Sequence, residues 1–480
     1  MDLTKLPVFT LQNLRIYPFE IERLIDIKIT QKVSQHSRLI LEATIKEEMK
    51  DHYVALTSFD TTIVVTAEGL GIDSPILFQG ITTRIEVKVV QGVYHLYVEA
   101  ASFTYLLSMA KQSRSFQNKE MSLNGIVKRV LATYSDADVI FRVDANQKLY
   151  KFLIQYQQAD WEFLVLVASI LNTGIIVDQT LPAPKIFFGI PQDTPVIPLE
   201  ETNYTMEKII GKDSADFRWD GMRPFTSYRV KSQTLLKMGQ QVLFQGENLY
   251  VASIISKIEQ GVLLHEYCLT DMGGLYRIRI YNDDLIGASI EAKVIDVRRE
   301  WVKLHLAIDS IQDKETACWF EYASMYNSGV VSGIYMMPEI GDNVRLYFQG
   351  KYETECFVLN AINKQMGLPE KRDESEYGLE RDRWKKPAVK SIKANGKEII
   401  LAPDRIIIQA TDVVITWHDE DGVIITTRNN IKIRADEALD ISAAEVNIDG
   451  EEKVQITCGG SSIKLTPGNI KIGSASIDMG

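Results

Sequence analysis

The chain has 480 residues, 45% apolar and 24% charged, a balance that excludes a disordered or collagen-like protein and, at about 150 residues per domain, suggests about three domains. The net charge is −11, from 53 Lys/Arg against 64 Asp/Glu, and residues 396–480 alone hold 8 Lys/Arg and 14 Asp/Glu, which argues against wrapping nucleic acid. No apolar run approaches the ~18 residues of a membrane span, and Met1–Pro7 has no basic segment followed by an apolar one, so no secretory signal is read there. Cys268, Cys318, Cys356 and Cys458 are too far apart for a zinc knuckle or redox pair and are expected to be reduced, packed thiols. No metal site or cofactor is expected.

The first ~100 residues are strand-like. Leu39–Ile45 and Thr62–Thr66 are β-rich, with Gly69, Gly71 and Pro75 marking turns. Two helices follow, near 121–134 and 160–173. Ser122 is expected to cap the first, with Ile126, Val127, Val130 and Leu131 on one face; Asp160 is expected to cap the second, which carries Phe163, Leu164, Val167 and Leu171 and closes at Gly174. Strand patterns then dominate to the end. A short repeat is visible: Leu77-Phe78-Gln79-Gly80 recurs as Leu243-Phe244-Gln245-Gly246, and each leads to Gln-Gly-Val, at Gln91-Gly92-Val93 and Gln260-Gly261-Val262. His95-Leu96-Tyr97-Val98 then matches His265-Glu266-Tyr267-Cys268. Such a repeat suggests two related β-barrels, although short matches between hairpins also arise by chance.

Residues 285–365 read as a barrel of about five strands, an oligonucleotide/oligosaccharide-binding (OB) fold. Its clearest strands are Ile290–Val297, Val302–Ile308, Val344–Phe348 and Cys356–Ile362, with Trp319-Phe320 and Ser332-Gly333-Ile334 between them and a turn at Pro338-Glu339-Ile340-Gly341-Asp342. Residues 366–395 form a linker whose mixed charge, between Pro369 and Pro387, reads as solvated.

From Ile399 onward, apolar residues come in pairs two apart: Ile399/Leu401, Ile406/Ile408, Val413/Ile415, Val423/Ile425, Ile431/Ile433, Leu439/Ile441, Val446/Ile448, Val454/Ile456, Ile463/Leu465, Ile470/Ile472 and Ile477/Met479. The step is roughly eight residues, one short strand with a single apolar face per step. Turn-favouring residues separate the pairs. Steps this short cannot enclose a core in one chain, but three chains wound together can, each forming one wall of a prism. The repeat therefore predicts an obligate homotrimer. An ordinary β-sandwich is the alternative; the absence of proline between Pro403 and Pro467 counts against it.

Several segments resemble the VgrG-like spike proteins of contractile injection systems, relatives of phage baseplate hubs and tail spikes. Gln155-Tyr156-Gln157-Gln158-Ala159-Asp160-Trp161-Glu162-Phe163 is similar to a hub motif, with Gln158-Ala159 in place of an acidic-small pair. Phe103–Leu107 with Arg114–Lys119 resembles the hub segment before its first helix. Pro338–Val344 is similar to the OB turn signature, with Pro338, Gly341 and Asp342 as its key positions. Asn395–Ile399 looks like the start of the β-helix, and Cys458–Gly468 like the usual ending. The resemblance implies a mainly β protein: a hub of two β-barrel-like domains with inserted helices over residues 1–284, an OB-fold neck, and an intertwined trimeric β-helix needle over 396–480. The trimer core of the needle would run from Ile431 to Ile472. The resemblance further implies a hexameric inner tube seated on six similar barrels, baseplate partners, possible effectors, and a tip cap of the PAAR type on Ile477, Asp478, Met479 and Gly480. Sheath contraction would drive the needle mechanically through a target membrane after assembly in the cytoplasm. An inserted lysozyme or trailing effector domain finds no room.

A β-helix enzyme or adhesin acting on carbohydrate would need clustered carboxylates; Asp419-Glu420-Asp421 is the densest group, and its position before Gly422 reads as a turn. Nucleic-acid binding by the OB domain would use Trp319, Phe320, Tyr322 and Tyr326, but basic partners are sparse in the sequence. His418, out of parity with Val413 and Ile415, is expected in solvent rather than on iron at a trimer axis.

Overall fold

A computed structural model describes residues 9–55, 61–68, 74–191, 195–209, 225–323, 326–327, 333–334, 337–362 and 389–478. The described residues up to 362 form one compact unit and 389–478 another. Gly69, Gly71, Ser332, Met479, Gly480 and most of the charged linker lie outside the described residues. Among the described residues no helix is long and apolar enough to cross a membrane.

The first unit opens with strands β1 (Leu14–Tyr17), β2 (Arg23–Lys32) and β3 (Arg38–Ile45), then a short helix α1 (Lys50–Ala55). Strands β4 (Thr62–Ala67), β5 (Ile76–Val90) and β6 (Val93–Ser102) complete a six-strand module in the order β1-β4-β5-β6-β3-β2. Strict alternation buries Leu39, Leu41, Ile63, Val65, Leu96 and Val98 in its core.

An α/β insertion follows: β7 (Lys111–Phe116), α2 (Leu123–Leu131), β8 (Asp138–Phe141), β9 (Leu153–Ala159), α3 (Asp160–Ile170), β10 (Ile175–Val177) and β11 (Lys185–Phe188). Ser122 Oγ accepts the Gly125 amide at 3.2 Å and caps α2, whose residues Ile126, Val127, Val130 and Leu131 are buried against α3. The ends of α3 differ from expectation. Ala159 takes the cap position and Asp160 is the first helical residue. The helix ends at Ile170 with Leu171 as its C-cap, and Asn172, with a φ of 53°, takes the left-handed position just beyond; Gly174 serves packing instead, since a side chain there would meet Val33 at 2.2 Å.

The second module comprises β12 (Ile197–Pro198), β13 (Tyr204–Ile209), β14 (Phe225–Ser232), β15 (Gln241–Phe244), β16 (Glu247–Glu259) and β17 (Val262–Thr270), followed by a short helix α4 (Met272–Leu275). Its order, β12-β15-β16-β17-β14-β13, repeats that of the first module strand for strand, and β2 joins β16 so that both lie in one 12-stranded sheet. The long hairpins match in detail. Gln91-Gly92 and Gln260-Gly261 both take left-handed φ values (52° and 81°; 51° and 82°), the geometry of a two-residue hairpin turn. Both hairpins carry a β-bulge at the same distance from that turn, at Thr83 and at Ala252. This register overturns the four-residue match: Gln245-Gly246 is a turn, whereas Gly80 lies within β5, where a side chain would strike the Ala101 carbonyl at 2.1 Å. It also makes Leu96, and not His95, the counterpart of His265 in the first module.

The five-stranded sheet of β18 (Ser289–Arg298), β19 (Trp301–Leu306), β20 (Trp319–Glu321), β23 (Asn343–Phe348) and β24 (Cys356–Ile362) has the order β20-β19-β18-β23-β24, with a small pair β21 (Tyr326–Asn327) and β22 (Gly333–Ile334) between. A parallel bridge from Tyr322 to Val358 closes β20 on β24, giving an OB barrel. Phe152 and Ile154 of the insertion sit in its core.

The second unit is a ribbon. Strands β25 (Lys390–Ala394), β26 (Lys397–Ala402), β27 (Arg405–Ala410), β28 (Val413–His418) and β29 (Gly422–Thr427) form an antiparallel meander; β30 (Val454–Cys458), β31 (Ser461–Thr466) and β32 (Asn469–Gly473) form another. Residues 428–453, which the repeat marks for strands, have none.

Candidate functional site

The ribbon carries the residues singled out by the repeat. Cross-strand register sets pair against pair: Ile399 faces Ile408, Leu401 faces Ile406, Ile408 faces Ile415 and Ile415 faces Ile425. Downstream, Val454 faces Leu465, Ile456 faces Ile463, Ile463 faces Ile472 and Leu465 faces Ile470. Directly opposed residues share a sheet face, so the pairs build one continuous apolar face per meander. Much of that face is open to solvent, and so are the apolar pairs of the strandless stretch 428–453. Ile433, Ile441 and Ile448 are 70%, 71% and 69% exposed, and Ile431, Leu439, Val446, Ile456, Ile463, Leu465, Ile470, Ile472 and Ile477 are exposed as well. In β26 it is the other parity that is buried, Glu398 and Ile400.

His418 departs from expectation. Its ring is 14% exposed, its Nδ1 accepts the amides of Glu420 and Asp421, and its Nε2 lies 3.7 Å from the Asp404 carboxylate. The Asp419-Glu420-Asp421 cluster is thus a turn folded around this histidine. Asp478 is exposed at the far end of the ribbon.

The OB turn positions serve the fold. Pro338 is buried, Gly341 takes a φ of 101°, and Asp342 Oδ2 accepts the Glu339 amide at 2.9 Å. Backbone bonds in both directions between Val294 and Gly341/Asp342 pin this turn onto β18.

The hub-like motif is a buried polar network. Asp160 pairs with Arg114 through one carboxylate oxygen and accepts the Tyr134 hydroxyl at 2.8 Å through the other. Gln155 joins them, accepting from Arg114 Nε and donating to Asp160, both at 2.8 Å. Burial and the carboxylate beside it push the Tyr134 hydroxyl well above its ordinary range. Asp160 therefore locks β7, β9 and α3 together, which is why it is turned away from capping its helix. Nearby, the Asp309 carboxylate accepts both the amide and hydroxyl of Ser115 and ties the insertion to the OB barrel. No sequence signal marked Asp309 or Tyr134.

Cys318 is buried and Cys356 half-buried, and burial pushes their thiols up to about 11 and about 12. Cys458 is exposed, contrary to the expectation of a packed thiol, because its strand has no covering layer. The OB surface also corrects the sequence reading on one point. Lys119, Arg298 and Arg299 converge with Trp301 and Trp319 around a shallow concavity, basic and aromatic groups that are scattered in sequence. Phe320 is instead in the core.

Compared with known proteins, residues 61–181 match the family model described as the Alg8 N-terminal domain. No curated protein sequence matches the chain. Among solved structures, the chain is similar to the Escherichia coli c3393 protein, described as a type VI secretion component resembling T4 bacteriophage tail proteins gp27 and gp5: 13% identity, 73% of this chain and 99% of that one, TM-score 0.50. The Francisella PdpA–VgrG complex in its half-lidded form is similar at 8% identity over 88% of both chains, TM-score 0.55. Its lidded form matches at 9% identity over 85% of this chain and 76% of that one, TM-score 0.53. The fold is accordingly the one these VgrG-containing and tail-protein-like structures have: mainly β, with a half-barrel, an OB domain and a β-ribbon.

Proposed function

We propose that this chain is the structural hub and spike of a contractile injection machine and acts as a homotrimer without catalysis. The observation that carries this reading is the series of solvent-exposed apolar pairs along residues 399–477. Exposed apolar residues recurring over this length are a liability unless another surface covers them. Three copies of the same face, turned inward, bury it. Strands lacking in 428–453 then find ladder partners in the neighbouring chains, which supplies the backbone hydrogen bonds that one chain leaves unmade. Axial load in such a needle falls on many hydrogen bonds at once.

The two hub modules suit a second role. Three chains present six modules of one strand order, a matching seat for a hexameric inner tube. The far end, Ile477–Gly480, is the proposed seat of a PAAR-type cap, with baseplate proteins and effectors as further partners. The protein would assemble in the cytoplasm, be expelled with the particle on contraction, and meet the target membrane mechanically. Native mass spectrometry tests the core of this: a stable trimer is expected, and a folded monomer at micromolar concentration would refute the reading.

A further inference from the structure

The concavity on the OB barrel is assembled from separate parts of the chain and held in shape by them. Val302 and Phe320 are buried in the barrel core, so their neighbours Trp301 and Trp319 stand on the outer face of β19 and β20. Trp301 is 46% exposed. Arg298, opposite Trp301 in the ladder, and Arg299 come from the end of the β18–β19 hairpin. Arg299 has a left-handed φ of 54°, a conformation uncommon outside glycine. Lys119 comes from the insertion, and buried bonds fix its approach. The Gln117 side chain accepts the Cys318 amide and donates to the Leu304 carbonyl, both at 3.1 Å, and the Cys318 thiol donates back to the Gln117 carbonyl at 2.9 Å. These bonds stitch the segment before Lys119 to β19 and to the residue preceding Trp319. The indole of Trp319 is held in turn by Lys303. That ammonium donates to the Lys314 and Glu315 carbonyls and lies 5.1 Å from the ring centre.

We propose that this concavity binds a nucleotide, its phosphate held by Lys119, Arg298 and Arg299 and its base stacked on the indoles of Trp301 and Trp319. The chemistry of the lining selects this ligand. The space is about 440 Å³, within the range of about 300–1,000 Å³ typical of small-molecule sites. Its five side chains carry three positive charges and no carboxylate. Lysine, arginine and tryptophan side chains all donate hydrogen bonds and none accepts one. A fitting ligand therefore presents negative charge and acceptors to the cations, a flat face to the indoles, and few donors of its own. A neutral sugar fails this test, because each of its hydroxyls brings a donor that the lining side chains leave unmet. A phosphate ester consists of acceptors, and a pyrimidine base such as thymine supplies the flat face with a single ring N–H. The footprint is short. Glu300 and Glu321 flank the two tryptophans, Glu321 directly opposite Trp301, so the positive patch does not run on along the barrel. That limits the site to a free nucleotide or the end of a single strand. It is compatible with a net charge of −11, which disfavours wrapping nucleic acid at length. The site stands on the OB surface alone and does not depend on the spike reading.

Equilibrium dialysis of the full chain against labelled thymidine monophosphate and against a short thymidine oligonucleotide tests the site. Saturable binding that weakens as salt is added is expected. W301A and W319A should each weaken it about tenfold, the usual loss for one stacked base. R298E/R299E should weaken it at least as much and flatten its salt dependence. Thymidine, which lacks the phosphate, and glucose 6-phosphate, which lacks the base, should each bind about tenfold more weakly than the nucleotide. Equal affinity for the nucleotide and the oligonucleotide would identify a free nucleotide as the ligand; tighter binding of the oligonucleotide would identify a strand end. Absence of saturable binding to the wild-type chain would overturn the proposal. So would glucose 6-phosphate binding as tightly as the nucleotide, or binding unchanged in both W301A and R298E/R299E. The arginines are exposed at the end of a hairpin, so R298E/R299E keeps the test decisive should circular dichroism show either tryptophan variant misfolded.

Discussion

The first unit and the ribbon are written in the same pattern and end in opposite states. In β3 and β4, alternating apolar residues give Leu39, Leu41, Ile63 and Val65 an exposure of 0%. In the ribbon an equally regular alternation leaves Ile456 of β30 58% exposed and Ile470 of β32 67% exposed. The difference is not in hydrophobicity but in the supply of a second layer. β3 and β4 belong to a module whose six strands, together with Tyr53 of α1 from the connection after β3, gather their apolar side chains into one core. The ribbon's turns are too short for any segment to cross over and cover the face. Alternation fixes which side is apolar; connection length decides whether the chain can cover that side alone.

The sharpest way to break this comparison is Ile448→Asp. If the ribbon's face is truly solvent-exposed, the change is harmless; if three copies meet there, three carboxylates enter a dry core. The expected outcome is loss of the trimer in native mass spectrometry and of its resistance to denaturant. In the first unit, Phe244→Ala should cost about 3–5 kcal/mol, measured by urea unfolding, because Phe244 is fully buried within its own chain. That loss should not depend on protein concentration, whereas the Ile448→Asp loss reports on association.

Acidification should separate the units further. Burial holds His265, which hydrogen-bonds Ser256 through Nδ1, at a pKa of about 4, below its ordinary 6.5. Burial and Arg38 do the same for His36, also to about 4. A depressed histidine pKa means that the unfolded chain binds more protons between pH 6.5 and 4. The stability from the neutral imidazole is thus complete above 6.5 and falls as pH drops through that window, by up to about 3 kcal/mol for His265. His265→Gln should flatten the pH dependence of unfolding measured by circular dichroism. A smaller effect is expected for Gly261→Ala, about 1–2 kcal/mol, since its φ of 82° disfavours a side chain. The smallest is Asp449→Ser, on the parity opposite Ile448, which should lie within about 0.5 kcal/mol of wild type by the same assay.

Much of this architecture is legible without coordinates. Short-range rules suffice for the helix at Ser122, the four main OB strands, the Gln-Gly turns and the period of the ribbon, because capping, alternation and left-handed turn geometry act over a few residues. The sites were legible unevenly. The ribbon's apolar parity follows from spacing alone. The meaning of Asp160 does not: a helix-start aspartate reads as a cap, and only the approach of Arg114 and Tyr134 from elsewhere in the chain turns it into a clasp. Likewise Asp309 lies far in sequence from the Ser115 it binds, and Lys119 far from Trp301 and Trp319. The two-module repeat shows the same division. Its sequence trace was half in register: the Gln-Gly-Val match holds, whereas the four-residue match does not, since Gly80 and Gly246 carry out different tasks. Strand order and bulge position, which are properties of pairing between distant segments, revealed the true correspondence. What local chemistry determines is where the chain turns and which face is apolar; what only the tertiary structure decides is which distant groups meet, because that depends on the path of the chain between them.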